Sequence, residues 1–136
     1  MMQIRYNIEP LFALIEEKFQ TQLDRKIDRG LVLAFGLLKV QIEFIEDRIL
    51  FSCILGELLP SRFRMQVFED ALRANFKSST FGSLGYNDRN KLFMLILNYP
   101  IIPPREAEFI FLLDGFFQKA QAWSEALKAS NTRLLV

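Results

Sequence analysis

Residues 31–59, LVLAFGLLKVQIEFIEDRILFSCILGELL, decide how this chain folds. Leu31, Val32, Leu33 and Phe35 form one apolar run, Val40, Ile42 and Phe44 then alternate with Gln41 and Glu43, and Ile49–Leu55 form a third run. Short apolar or alternating runs of this kind predict strands, because successive side chains on a strand point to opposite faces. Three strands are expected, and Glu46-Asp47-Arg48 is short enough to close an antiparallel hairpin between the second and third.

Upstream the period changes. Ile8, Leu11, Phe12, Ile15, Phe19 and Leu23 recur at three- and four-residue intervals, with Glu16, Glu17, Lys18 and Gln20 mostly opposite, which predicts an amphipathic first helix. Asn7 suits its N-cap, Pro10 its first turn, and Asp24–Arg29 with Gly30 its end. Downstream, Pro60 stops the third strand and Ser61 sits where an N-cap belongs. Phe63, Val67, Phe68, Leu72 and Phe76 then give a second helical stripe.

After a loop at 77–80, Phe81–Tyr86 reads as an irregular strand, Asn87–Asn90 as a turn and Lys91–Tyr99 as a strong strand. Pro100, Pro103 and Pro104 prevent the sheet from continuing, and Phe109, Leu112, Leu113, Phe116, Ala120, Trp123 and Leu127 mark a third helix over 105–128. Gly115 within it costs ~1 kcal/mol of helix propensity. The expected order is α-β-β-β-α-β-β-α. Without βαβ alternation this is an α+β fold, an antiparallel sheet with helices packed on one face. Residues 1–128 are expected to form one domain and 129–136 a flexible tail.

The 136 residues suit a single core, and 51% hydrophobic content with 14 Phe places the chain well away from disordered compositions. Seventeen Lys+Arg against sixteen Asp+Glu leave +1, so overall charge recommends no polyanionic partner. A single cysteine, Cys53, closes no intramolecular disulfide, and no charged-then-apolar leader opens the sequence, so a reducing cytoplasm is the expected compartment. The longest uncharged stretches are too short for a bilayer or are broken by proline, so no membrane insertion is expected.

The absence of histidine removes the most frequent general base and metal ligand. Glu16/Glu17, Glu43/Glu46/Asp47 and Glu106/Glu108 have no accompanying base or ligand set and read as solvated faces, while Cys53, mid-strand, reads as core. Gly82-Ser83-Leu84-Gly85 lacks the Lys-Ser/Thr of a phosphate loop. Arg25, Lys26, Arg29, Arg62 and Arg64 form no continuous stripe with aromatics, so nucleic-acid binding is not expected. The chain reads as a protein-binding molecule with no catalytic residue, metal or cofactor.

Lys91–Tyr99 adds a constraint. It places Leu92, Met94 and Ile96 on one face and Phe93, Leu95, Leu97 and Tyr99 on the other, so both are apolar. Either another chain covers the second face, or the third helix and the loop before it wrap the strand from both sides.

The layout from about Pro10 to Lys128 resembles the class I type III secretion chaperones, the Tir-chaperone or CesT-like family. The resemblance lies in Ile49–Pro60, in Leu72-Arg73-Ala74-Asn75-Phe76 followed by Gly82–Tyr86, in Asn90–Leu95, and in Phe109, Leu112, Phe116 and Trp123. It implies a dimer in the bacterial cytoplasm, without ATPase activity. Such a dimer binds the N-terminal segment of a secreted effector or gatekeeper protein in extended form and keeps it soluble and secretion-competent. The chain departs from the family in its near-neutral charge and in the apolar character of 29–39, where pairing with a second chaperone chain would use the extra surface.

Under this reading Phe12, Ile15, Leu31, Leu33, Phe35, Val40, Ile42 and Phe44 are expected to contact the client, through strand addition and side-chain pockets. Phe63, Val67, Phe68, Leu72, Phe93 and Leu95 are expected at the dimer interface. The alternative is a regulatory module that captures part of the transcription machinery and couples secretion to gene expression.

Overall fold

The structure is a computed structural model that describes residues 13, 15, 17, 22–27, 30–45, 48–99 and 106–135. Its frame is a six-stranded antiparallel sheet in the order β1-β2-β3-β4-β6-β5. The strands are β1 (Gln22–Ile27), β2 (Gly30–Phe35), β3 (Leu38–Ile45), β4 (Arg48–Glu57), β5 (Ser83–Asn87) and β6 (Leu92–Tyr99). Helix α1 (Arg62–Lys77) separates β4 from β5, and α2 (Glu106–Lys128) follows β6. This is the expected α+β architecture with one additional strand.

That strand is a correction. Residues 22–27, read as the end of the first helix, pair with β2 from Gln22↔Ala34 to Ile27↔Gly30, with a register shift between Leu23 and Arg25. Leu23 fits the spacing of the preceding stripe, so periodicity alone extends a helix through it. The first helix is represented by Ala13, Ile15 and Glu17, all helical. Asn7, Pro10 and Phe12 lie outside the described residues.

The three central strands pair as the alternation requires. Phe35↔Leu38 closes the β2–β3 hairpin around Gly36-Leu37, with Gly36 at φ 61°, the positive angle that a type II′ turn needs at its first central position. Through Leu31↔Ile42, Ile42↔Phe51 and Phe51↔Leu97, one row of inward side chains crosses four strands. A register shift between Ile54 and Gly56 bends β4, and Ser124 Oγ of α2 donates to Leu55 O there at 3.1 Å.

Helix α2 covers that inner face with rings. Phe51 meets Phe109 and Phe116 at centroid distances of 5.7 and 5.6 Å, Phe35 stacks on Phe117 at 4.1 Å, and Phe93 meets Trp123 at 6.0 Å. Gly115 has a steric reason: a Cβ there would lie 2.2 Å from the Phe81 ring. Helix α1 starts as expected, the Arg64 N–H donating to the Ser61 side chain at 3.1 Å. It packs Phe68 against Tyr86, an inward residue of β5, so both helices lie on the same side.

Residues 129–135, expected as a loose tail, fold back instead. Ser130 takes φ 55°, its N–H bonds Leu127 O, and the Asn131 N–H bonds Ala126 O, a Schellman ending to α2. Thr132 is thereby buried and donates to the buried Asp70 of α1 at 2.7 Å, and a 3₁₀ turn, Arg133–Leu135, follows.

Candidate functional site

The two faces of the sheet differ, and the difference locates the candidate binding surfaces. Ile15, Leu31, Leu33, Phe35, Val40, Ile42 and Phe44, expected to contact a client, are gathered into one cluster and are all 8% exposed or less. They belong to the core beneath α2, because strand positions 31, 33, 35, 40, 42 and 44 all point to the face that α2 covers. As folded they offer a client no surface; Phe12, from the same set, lies outside the described residues.

The expected dimer residues scatter. Val67, Phe93 and Leu95 are fully buried, Phe63 and Phe68 are half-buried against the same core, and Leu72 is exposed on α1. Burial within one chain explains the first five without a partner. Leu72 remains available to one.

The outer face carries what sequence reasoning left unassigned. Ile54 pairs directly with Met94, and Ser52 with Ile96, on the face opposite α2. Ile54 and Ile96 are 50% and 40% exposed, Ile45 is exposed, and Leu50, Leu92 and Met94 are half-buried. Polar Gln41, Glu43, Ser52 and Asn98 break up the patch. The apolar alternation in Lys91–Tyr99 contained this signal, but choosing the bare face requires knowing where α2 lies.

The sheet ends are treated unequally. At the β5 edge, Asn75 of α1 acts as a substitute strand: the Leu84 N–H donates to Asn75 Oδ1 at 2.8 Å, and Asn75 Nδ2 donates to Leu84 O at 2.9 Å. This satisfies edge groups that would otherwise invite pairing. Tyr86 Oη donates to Leu58 O at 2.7 Å and fixes the same corner. The opposite edge is β1.

Several polar groups among the described residues hold the fold together. Burial pushes the Cys53 thiol up to about 11, far from a reactive thiolate at neutral pH. Lys119 donates to Gly82 O at 2.8 Å, and its burial lowers its pKa, so it staples α2 to the loop before β5. The Lys91 ammonium beside Asp88 holds that carboxyl below its usual range, an exposed pairing at 3.0 Å. Tyr99 Oη donates to Glu108 and joins β6 to the first turn of α2. Among the described residues no three potential ligands cluster as a metal site, and no helix is long and apolar enough to cross a membrane.

No family model and no curated protein matches the sequence. Solved structures do match in fold. YbjN from E. coli, a candidate transcription regulator, superposes with a TM-score of 0.65 at 19% identity, covering 94% of this chain and 96% of its own. A chain of the HopA1-SchA chaperone-effector complex superposes with a TM-score of 0.60 at 14% identity, covering 90% of this chain and 100% of its own. Both likenesses span nearly the whole domain and establish a shared fold.

Proposed function

We propose that this protein is a non-catalytic chaperone of the type III secretion kind. It binds the N-terminal segment of a secreted effector or gatekeeper protein in extended form in the bacterial cytoplasm, as a dimer with itself or with a second chaperone. The observation that carries the reading is the bare outer face, where Ile54, Met94 and Ile96 lie side by side on a sheet whose other face is already filled. An extended segment crossing β4 and β6 there would bury alternate side chains without displacing any core residue. The fold shared with a chain of a chaperone-effector complex supports the same reading.

The fold shared with YbjN favours a second reading, a regulatory protein-binding module. Deleting the gene in the bacterium of origin separates the two. Under the chaperone reading one protein disappears from the secreted fraction while its transcript is unchanged. The N-terminal segment of that protein then copurifies with the wild-type chain but not with Ile54→Asp or Ile96→Asp. A changed transcript with normal secretion supports the regulatory module instead.

A further inference from the structure

Gly85 stands in the middle of β5, where a glycine loses more backbone freedom than any other residue and offers no side chain to pack. Nothing in the chain requires it there. Its φ is not positive, and a Cβ at this position would meet no atom within 4 Å. The other five glycines each have an internal cause: positive φ at Gly36 and Gly82, a close approach at Gly30 and Gly115, and the β4 irregularity at Gly56. A strand glycine without such a cause marks a place where something outside the chain comes close.

Gly115 shows what covers a glycine in this fold, since the Phe81 ring lies where its Cβ would be. An aromatic ring from a neighbouring strand covers edge-strand glycines in the same way. Gly85 has no such ring. It faces Met94 across the ladder, and its diagonal neighbours on the outer face, Leu92 and Ile96, are aliphatic. A concavity of about 380 Å³ opens there, from Gly85 and Ser83 past Ile96 to Asn98, and no charged side chain lines it. Through Met94 and Ile96 it is continuous with Ile54 on the outer face.

We propose that Gly85 is a specificity-determining position, the floor of a pocket for one aromatic side chain of the bound extended segment. The ring lies flat on the Gly85 backbone with its edge towards Ile96 and the Met94 sulfur, a favourable partner for an aromatic. A charged side chain is excluded because it would lose hydration without gaining a counter-ion. Resting on the client surface proposed above, this pocket adds the kind of residue that the client carries.

The probe is a fluorescent peptide of alternating Thr and Val with a Lys at each end and one central Phe, beside a counterpart with Leu at the centre. Binding to the full chain is followed by polarisation, and by NMR on isotope-labelled protein. The Phe peptide binds about threefold or more tightly than the Leu peptide. It alone moves the Gly85 Hα resonances upfield, because a ring shields protons above its face. Gly85→Val raises the melting midpoint by a few degrees and weakens the Phe peptide about tenfold or more, so lost binding is not lost folding. Equal binding of the two peptides, no saturable binding of either, a less stable Gly85→Val, or unchanged binding by that variant overturns the inference. So does a sedimenting dimer that Gly85→Val dissociates, because a second copy would then cover the glycine. Peptides that shift the amides of Ile54 and Ile96 but not Gly85 remove this pocket and leave the outer-face reading standing. Full binding by Ile54→Asp and Ile96→Asp removes both.

Discussion

The two faces of β6 are nearly equal in hydropathy and opposite in fate. Phe93, Leu95 and Leu97 lie under α2 in the core, while Leu92, Met94 and Ile96 face outward with no element of the described chain over them. The same split runs through β4, where Ile49, Phe51 and Cys53 are buried and Ile54 is half exposed. In β4 and β6 an apolar residue therefore does not define a core position; the helix that lies over it does. One face makes the fold, and the other is spare apolar surface of the kind that interaction sites use.

The largest effect tests the assignment of faces directly. Leu95→Asp places an unpaired carboxylate at a fully buried position, a cost of several kcal/mol, comparable with the whole stability of a domain this size. Ile42→Asp does the same. Both variants are expected to lose their circular dichroism and the buried emission of Trp123, which packs on Phe93. Ile96→Asp, one residue away on the other face, is expected to keep both. If Leu95→Asp remains folded, the inner face is not the core.

Cys53 sharpens the contrast through pH. Its thiol is raised from 9.0 to about 11 by burial, so the native state holds the proton that the unfolded state has released. The stability associated with the neutral thiol is complete below pH 9 and is lost as pH rises through 11, a fall of about 3 kcal/mol. Urea titrations at pH 8 and pH 10.5 are expected to show a steeper loss for wild type than for Cys53→Ala, which lacks the titrating group. Thiol reagents at pH 8 should label Ile54→Cys on the outer face rapidly and Cys53 only as the protein unfolds.

The cover itself is tested next. Gly115→Ala gains ~1 kcal/mol of helix propensity but sets a methyl 2.2 Å from the Phe81 ring, so either the ring or α2 must shift. A net destabilisation of about 1–2 kcal/mol is expected in thermal melts. A gain in stability would mean that Phe81 swings away without cost and does not help hold α2 on the sheet.

Strands β2 to β6, the helical residues Ala13, Ile15 and Glu17, and helices α1 and α2 were legible in sequence, because alternation, Pro60 with Ser61, and the three- and four-residue spacing all act locally. Strand β1 was not. Leu23 continues a helical stripe, and only pairing with β2, a tertiary event, turns 22–27 into a strand. Gly30, read as the end of that helix, instead opens β2, where a Cβ would sit 2.1 Å from Ile42 O of β3, a reason for glycine that only the paired sheet shows. The tail was misread for a similar reason, since nothing about Thr132 in sequence signals the buried Asp70 that receives it. The candidate site was half legible. The doubly apolar strand predicted a spare face, and the strand side chains expected at the client lie on the face that α2 covers, because residues 31–44 carry their strongest apolar signals where the core needs them.

The smallest expected effect on stability is also the most informative about function. Ile96 is 40% exposed and faces Ser52 across the ladder, so Ile96→Ser removes less buried area than the truncation of a core residue and leaves a hydroxyl in contact with water. The cost should be about 1 kcal/mol or less, the span of strand propensities, with an unchanged melting profile shape. If the outer face receives an extended client, the same substitution combined with Ile54→Ser should weaken capture of its N-terminal segment about tenfold or more. The two side chains sit near the centre of the patch, where truncation costs most, while Gln41 and Asn98 form its polar surroundings. Asn98→Ala supplies the control and should leave capture within about twofold. Equal binding by the double variant and wild type would remove the outer face as the client surface while leaving the fold untouched.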